Sequence, residues 1–363
     1  VTMALVNKLY LGMDLHKSTS TFCVKDYDGK NYDSCKIVTN PHEVTKYIKK
    51  LSGLGKELSL AVEPVSQWYY YADLLQNLGV DVHLANPVKV KAIASARVKT
   101  DKIDAGVLSD LLRSNLLPEA YFSGPEVRTW KEIVRYRVSL LNLRTQTKNK
   151  VTAIVSKNGL SCPFCDLFGK SGKSWLRSLS LPDNFKDAAE NYLQLIDYLD
   201  KMVKDADKKI EETVGENKHA RLLTTIPAIG YISALTIMAE IGDIKRFPTA
   251  KQLMGYAGLV PSTYASGNSV RHGKITKQGS RWLRWIMIEA AQRQQNCTKL
   301  PGFAWYYLKI RKRKGAKTAA VATARKLLAV VWKMLTENRE FESRLPNTYL
   351  PASPKAGKSG ILA

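Results

Sequence analysis

The sequence predicts an α/β domain built on a mixed sheet, followed by a predominantly helical remainder. Two observations carry this. Within residues 9–97, three β-type runs are followed by strand and helix in alternation. That order gives a mixed sheet with crossover helices, as in the ribonuclease-H-like architecture. From about residue 126 onward, apolar residues recur at helical spacing over long stretches with few breakers, and the period separates helix from strand.

Each element has its own signal. Residues 9–14, 21–26 and 31–38 are predicted strands, with Asp28-Gly29-Lys30 as the hairpin turn between the last two. Asn40-Pro41 opens a helix over 42–51. A short buried strand at 58–62 and a helix over 66–78 follow; the helix bears Trp68 and three tyrosines. The strand 80–84 is ended by Asn86-Pro87, and a helix is predicted over 88–97. The stretch Lys99-Thr100-Asp101-Lys102-Ile103-Asp104-Ala105 then leads into a helix running through Val107, Leu108, Leu111 and Leu112, with Asp101 expected as its N-cap.

Four acids stand out within this frame. Asp101 and Asp104 are three residues apart, so one helix face presents both carboxylates. Asp14 and Glu63 end the apolar runs 9–13 and 58–62, and working groups of open α/β sheets gather at strand carboxyl ends. Like charges held together repel unless a cation lies between them. Asp14, Glu63, Asp101 and Asp104 therefore form a candidate oxygen cage for Mg²⁺, suited to phosphoryl transfer on a nucleic acid. The competing reading of each acid taken singly is a helix cap or a solvated surface carboxylate.

Composition narrows the partner. The 363 residues carry a formal net charge of +24 and are 45% hydrophobic, which fits a globular protein with an acidic partner, most simply nucleic acid. No secretory signal pattern opens the sequence, and no apolar run suffices to span a bilayer. The five cysteines do not read as a disulfide framework. The expectation is a reduced, cytoplasmic protein.

Residues 126–215 read as two long helices joined by a Gly/Ser/Cys-rich segment, an antiparallel hairpin or coiled coil suited to oligomerisation. The connecting segment contains Cys162-Pro163-Phe164-Cys165, which has zinc-knuckle spacing but no second ligand pair. Its Gly169–Ser174 run lacks the spacing of a phosphate loop, since Leu167 stands where the first glycine belongs. No role is attached to either.

Beyond residue 216 the pattern Thr225-Ile226-Pro227-Ala228-Ile229-Gly230-Tyr231 reads as helix–hairpin–helix, whose turn can offer N–H groups to a phosphate; a structural corner between helices is the alternative. A polar loop is expected over 262–274. Across 271–333 there are 16 Lys and Arg against one acid, Glu289, with Trp282, Trp285, Trp305, Tyr306 and Tyr307 among them. Bases neutralise phosphates and aromatic rings stack on nucleobases. The candidate nucleic-acid contacts are Arg271, Lys274, Lys277, Arg281, Arg284 and the run Arg311-Lys312-Arg313-Lys314, the last expected as a solvated loop or phosphate clamp. An amphipathic helix over 319–335 and a loose tail follow. The expected domains are 1–125 (catalytic), 126–215 (helical hairpin), 216–345 (second functional domain) and 346–363 (tail).

These residues resemble the DEDD-type insertion-sequence transposases, the one-hundred-and-ten/eleven-eleven group, whose relatives include the Piv-type invertases. The resemblance runs over nearly the whole chain: Gly12-Met13-Asp14, Val62-Glu63-Pro64 and the Lys99–Ala105 stretch, then 226–230, Tyr256-Ala257-Gly258-Leu259-Val260-Pro261, Ala265-Ser266-Gly267, 274–284 and 322–328. It implies a RuvC-like domain holding the four acids and a second transposase domain supplying a serine nucleophile, matched here by Ser266. It further implies DNA as substrate, a structured noncoding guide RNA, and dimers that assemble into tetramers.

From the residues alone, Ser262, Ser269 and Tyr264 compete with Ser266, and only the resemblance separates them. A serine hydroxyl needs a lost proton or a nearby metal to act. The expected function is RNA-guided DNA recombination through Ser266 and Mg²⁺. The alternatives are a metal-dependent junction-resolving endonuclease, a site-specific invertase, or a binding protein that retains the fold without activity.

Overall fold

The computed structural model describes residues 7–94, 100–266, 269–296 and 301–342. The chain folds as two compact units, Val1–Phe122 and Ser123–Ala363. Lys99, Gly267, Cys297 and the predicted tail 346–363 lie outside the described residues.

The first unit is a five-stranded mixed sheet of order β3-β2-β1-β4-β5. Its strands are β1 (Lys8–Leu15), β2 (Thr19–Lys25), β3 (Asn31–Val38), β4 (Glu57–Val62) and β5 (Asp81–Leu84). Strands β1, β2 and β3 run antiparallel as a meander, and β4 and β5 extend β1 in parallel. The helices are α1 (Pro41–Ser52), α2 (Trp68–Asn77), α3 (Pro87–Ile93) and α4 (Asp101–Arg113). This sheet is the mixed α/β arrangement expected from the sequence and is compatible with a RuvC-like fold.

Alternation along the strands decides the two faces. Leu9, Leu11, Met13 and Leu15 of β1 join Phe22, Leu58, Leu60 and Val62 in a core closed by Val44, Ile48, Tyr71 and Leu75 of α1 and α2. Tyr10 and Ala61 face the opposite way, toward Val90 of α3 and Leu108, Leu111 and Leu112 of α4. Asn40 and Asn86 cap α1 and α3, each followed by proline at the first helical position. Helix α3 ends at Ile93, short of the predicted residue 97; residues 95–99 lie outside the described set. The cap of α4 is Thr100, whose Oγ1 accepts from the Ile103 N–H, so the expectation of Asp101 as N-cap is corrected. Asp101 is instead the first helical residue, where a carboxylate still meets the positive end of the helix dipole.

The second unit is mainly helical. Helices α5 (Pro125–Lys157) and α7 (Asp183–Glu216) pair antiparallel, joined through α6 (Lys170–Ser178). Their direction follows from the contacts. Arg137 bonds Asp207 and Arg144 bonds Asp200, while Val151 shares a core with Leu193 and Ile196.

The open ends of this pair merge with a core of short helices: α8 (Lys218–Thr224), α9 (Tyr231–Ile241), α10 (Ala250–Tyr256) and α11 (Arg281–Gln294). Trp130, Val134, Ile210 and Val214 enter it beside Leu223, Leu235, Ile237, Leu283 and Leu327. Residues 225–230 make a turn between α8 and α9, with Ala228 at φ 68° and the Pro227 carbonyl accepting from buried Gln294.

Two predicted loops are ordered. Residues 262–274 form a hairpin, β6 (Pro261–Ser266) and β7 (Ser269–Ile275), rather than a polar loop. It lacks apolar alternation because an isolated two-stranded ribbon buries no second face. The run Arg311–Lys314 is helical, within α12 (Pro301–Glu337), which is interrupted at Gly315 (φ 82°, ψ 166°). There the chain reverses, so that Tyr307 packs with Ala319 and Ala320. No helix among the described residues is long and apolar enough to cross a membrane.

A buried acid holds the second unit together. Glu240, at the end of α9, accepts from Arg135 at 3.3 Å and from Ser280 at 2.8 Å, and Ser280 caps α11. Lys131 lies nearby with its pKa pushed down by burial, a shift that the Glu240 charge opposes. Replacing Glu240 with alanine leaves those cations without their counter-charge. The expected cost is about 3 kcal/mol, the lower end for breaking a buried pair because Arg135 is partly exposed, read as a shift in the urea unfolding midpoint.

Candidate functional site

Strand register assembles the site. Asp14 of β1 pairs with Thr21 of β2, and Thr21 pairs with Lys36 of β3. On the other side Met13 pairs with Val62, which makes Glu63 the next neighbour of Asp14 along the parallel pair. Lys36, Thr21 and Asp14 thus form one row across three neighbouring strands, and Glu63 follows directly on the end of β4. Residues of equal parity share a face, so the row lies on the face that Gly12 and Ala61 present to α4.

Helix α4 reaches this row because residue 12 is glycine. A Cβ built on Gly12 would lie 1.8 Å from the Ala105 carbonyl oxygen and 2.7 Å from the Ser109 nitrogen. No side chain fits, and the helix backbone rests directly on β1. Ser109 adds a hydrogen bond from its hydroxyl to the Tyr10 carbonyl at 3.3 Å. The first turn of α4, with Asp101 and Asp104, is thereby carried to the end of β1.

Acidic and basic side chains crowd together there. His16 Nε2 lies 3.0 Å from Asp14 Oδ2 and 3.8 Å from Asp101 Oδ1. Lys36 Nζ lies 2.8 Å from Asp101 Oδ2. Burial pushes the Asp14 carboxyl above its ordinary pKa; His16 opposes this, and Asp101 and Asp104 reinforce it. The Lys36 hydrogen bond and charge hold Asp101 below its ordinary value. Among the described residues, Asp14, His16 and Asp101 are the cluster whose ligand atoms fall within 4.8 Å of one another. Cys162 and Cys165 are free thiols outside it.

The donor set suits a hard divalent cation. A half-buried carboxylate raised in pKa, with two further acids acting on it, is relieved by positive charge at that point. Beside the acids, a cavity of about 570 Å³ is lined by Thr21, Ser34, Cys35, Lys36 and Asp101. The buried Thr21 hydroxyl has no hydrogen-bond partner among the described residues.

Of the sequence-predicted residues, Asp14 and Asp101 come together with His16, Asp104 acts on Asp14 through its charge, and Glu63 follows the end of β4; among the described residues the 4.8 Å cluster takes in neither Asp104 nor Glu63. Ser266 ends β6 in the second unit, its backbone paired with Ser269; its side chain lies outside the described residues. Arg271 and Lys274 are exposed on β7, and Lys277 and Arg281 are exposed just beyond it. Arg284 is placed differently. Its guanidinium is partly buried and donates to the Ala257 carbonyl at 3.0 Å, bracing the 256–261 turn. Arg311, Lys312, Arg313 and Lys314 are exposed on α12.

Sequence reasoning missed His16, Lys36, Thr21 and the packing role of Gly12. His16, two residues beyond Asp14, carried a local signal. Lys36 and Thr21 carried none, because only register connects them to Asp14.

Two outcomes follow from this geometry. Gly12→Ala forces α4 off β1, costing about 2–3 kcal/mol as overpacking, and weakens Mn²⁺ binding measured by electron paramagnetic resonance. Asp14→Asn raises the melting temperature of the chelator-treated protein by a few degrees. The sign is set by the raised pKa: the folded state binds the Asp14 proton more tightly, so the contribution of Asp14 to stability falls as pH rises above 3.8. The advantage of the variant is therefore absent below that pH and grows as pH rises through the raised folded-state value; a gap that widened on acidification would contradict the assignment.

A DEDD-type transposase family model matches residues 11–157, and the Transposase IS116/IS110/IS902 family model matches residues 220–308. The chain is 23% identical to the transposase for insertion sequence element IS1111A of Coxiella burnetii, over 91% of this chain and 90% of that one. It is 24% identical to a probable family 20 transposase of Pseudomonas aeruginosa, over 91% and 98%. It is 25% identical to the pilin gene-inverting protein of Moraxella bovis, over 94% and 99%. The two family matches take in both units and the relatives align along nearly the full chain, and so the protein belongs to the IS110 family of insertion-sequence transposases and is a DNA transposase.

Proposed function

We propose that this transposase is an RNA-guided recombinase that cuts and rejoins DNA strands through Ser266, assisted by Mg²⁺ held at Asp14, Glu63, Asp101 and Asp104. The observation that carries the metal half is the meeting of Asp14 at the end of β1 with the first turn of α4, with Glu63 directly after β4. When bound there, Mg²⁺ supplies charge stabilisation at the scissile phosphate and its leaving oxygen.

The chain's own groups have separate tasks. Ser266 loses its hydroxyl proton and forms an ester to phosphorus while the bond to the leaving deoxyribose oxygen breaks and that oxygen takes up a proton. Attack by a hydroxyl of a second strand reverses the exchange and frees the serine, so no hydrolysis intervenes. Exposed Arg271, Lys274, Lys277 and Arg281 hold strand phosphates near the β6–β7 hairpin. The 226–230 turn contributes backbone donors to the DNA in the manner of a helix–hairpin–helix.

The guide-RNA half rests on the family resemblance and on the excess of Lys and Arg over 271–333. The α5–α7 pair is assigned to dimerisation, with two dimers forming the active tetramer. The domains follow as 1–125 catalytic, 126–215 helical, 216–345 transposase and 346–363 tail. A second reading, inversion between fixed sites, is favoured by the full-length likeness to the pilin gene-inverting protein. It shares the same chemistry and differs only in how the two DNA sites are paired.

The test follows labelled element-end DNA on a denaturing gel, with Mg²⁺ and co-expressed element RNA. The expected result is a protein–DNA adduct with wild type that disappears in both Ser266→Ala and Asp104→Ala. Free cleaved DNA that is indifferent to Ser266→Ala would mean hydrolysis by a metal-dependent nuclease. Adduct formation with the RNA omitted would remove the guide from the mechanism.

A further inference from the structure

The reversal of α12 at Gly315 lays its two halves side by side. Tyr307 of the first half packs with Ala319 and Ala320 of the second, and Lys326 Nζ lies 3.8 Å above the Tyr306 ring. Between the halves opens a cavity of about 550 Å³, lined by Phe303, Trp305, Tyr306, Lys326 and Val330. Trp305 is 46% exposed, and Lys309 Nζ stands 4.5 Å over its ring. An aromatic cleft of this size, open at its mouth and edged by ammonium groups, is a binding feature rather than a packing defect.

Charge selects the occupant. Helix α12 carries nine Lys and Arg and one acid, Glu337, at its far end. A second copy seated symmetrically on this face would set those cations against one another. A polyanion is attracted instead. In a duplex each base is stacked between its neighbours, so an aromatic cleft can take a base only from a strand that is unpaired there. We propose that the α12 cleft binds an unpaired nucleobase of a single strand. Trp305 is the stacking platform, and Lys309 and Lys326 contact the flanking phosphates. The shared chemistry covers a loop of guide RNA and a displaced strand of DNA. The proposal rests on the reading of the protein as a nucleic-acid recombinase but not on Ser266 or the metal.

The test measures fluorescence anisotropy of the full-length protein in chelator, with labelled single-stranded RNA, single-stranded DNA and duplex DNA of one sequence. The proteins are wild type, Trp305→Ala, Trp305→Phe and Lys326→Ala. Trp305→Ala is expected to weaken single-strand binding about tenfold, within the range for losing one base stack, while leaving duplex binding unchanged. Trp305→Phe retains most of the affinity, and Lys326→Ala lowers the salt dependence. The RNA and DNA arms identify which strand the cleft prefers. An equal loss on duplex and single strand, or no loss on either, overturns the proposal. So does unchanged single-strand affinity combined with a lower oligomeric mass for Trp305→Ala in light scattering, which assigns the cleft to a second copy. Because no cleavage is read, Trp305-dependent binding without a serine adduct would sink only the recombination chemistry.

Discussion

The contact between Gly12 and the Ala105–Ser109 segment of α4 is the constraint on which the candidate active site depends. A helix normally stands off a sheet by the length of the side chains between them. Here one strand residue has no side chain, and the helix backbone meets the strand directly. The approach brings Asp101 and Asp104 over the end of β1, and the buried Ser109 hydroxyl secures it through the Tyr10 carbonyl. The glycine two residues before the aspartate is therefore part of the site, although it carries no chemistry.

That proximity costs stability. Asp14 is half-buried and pushed toward its neutral form, with two further carboxylates adding to the penalty and His16 relieving part of it. Lys36 reaches Asp101 from the opposite side of the same row. The side chains on this row are arranged for a charge that none of them supplies in full, the pattern found where stability is given up for function.

The second unit answers a different problem, that of presenting a long basic surface on a stable frame. Glu240 neutralises cations at the meeting of α5, α9 and α11. The base of the β6–β7 hairpin is held because Gly279, at φ 110°, lets the 277–280 segment lie against Tyr256, where a Cβ would come within 2.1 Å of a carbonyl oxygen. Ser266 thus ends a strand of an anchored ribbon. Beyond it, the doubled α12 keeps Lys309, Arg311–Lys314, Lys317, Lys326 and Lys333 exposed while burying Tyr307 and the small residues opposite.

Much of this was legible in the chain itself. Apolar and β-type runs placed the five strands to within a residue or two, Asn40-Pro41 marked the start of α1, Asn86-Pro87 marked the end of β5, and the i,i+3 spacing of Asp101 and Asp104 put both in one helical turn. Those features are local, set by backbone sterics and by which side chains avoid water over a few neighbouring residues. The ordered hairpin at 261–275, the reversal at Gly315 and the bracing role of Arg284 were not legible, because a polar ribbon or a basic helix gives no apolar period. The sequence by itself determined which residues are acids at strand ends and that the chain is strongly basic. Only the tertiary structure decided that Lys36, Thr21 and Asp14 share one row, and that His16 stands between Asp14 and Asp101. Strand register and the backbone contact at Gly12 are long-range, and no local spacing encodes them.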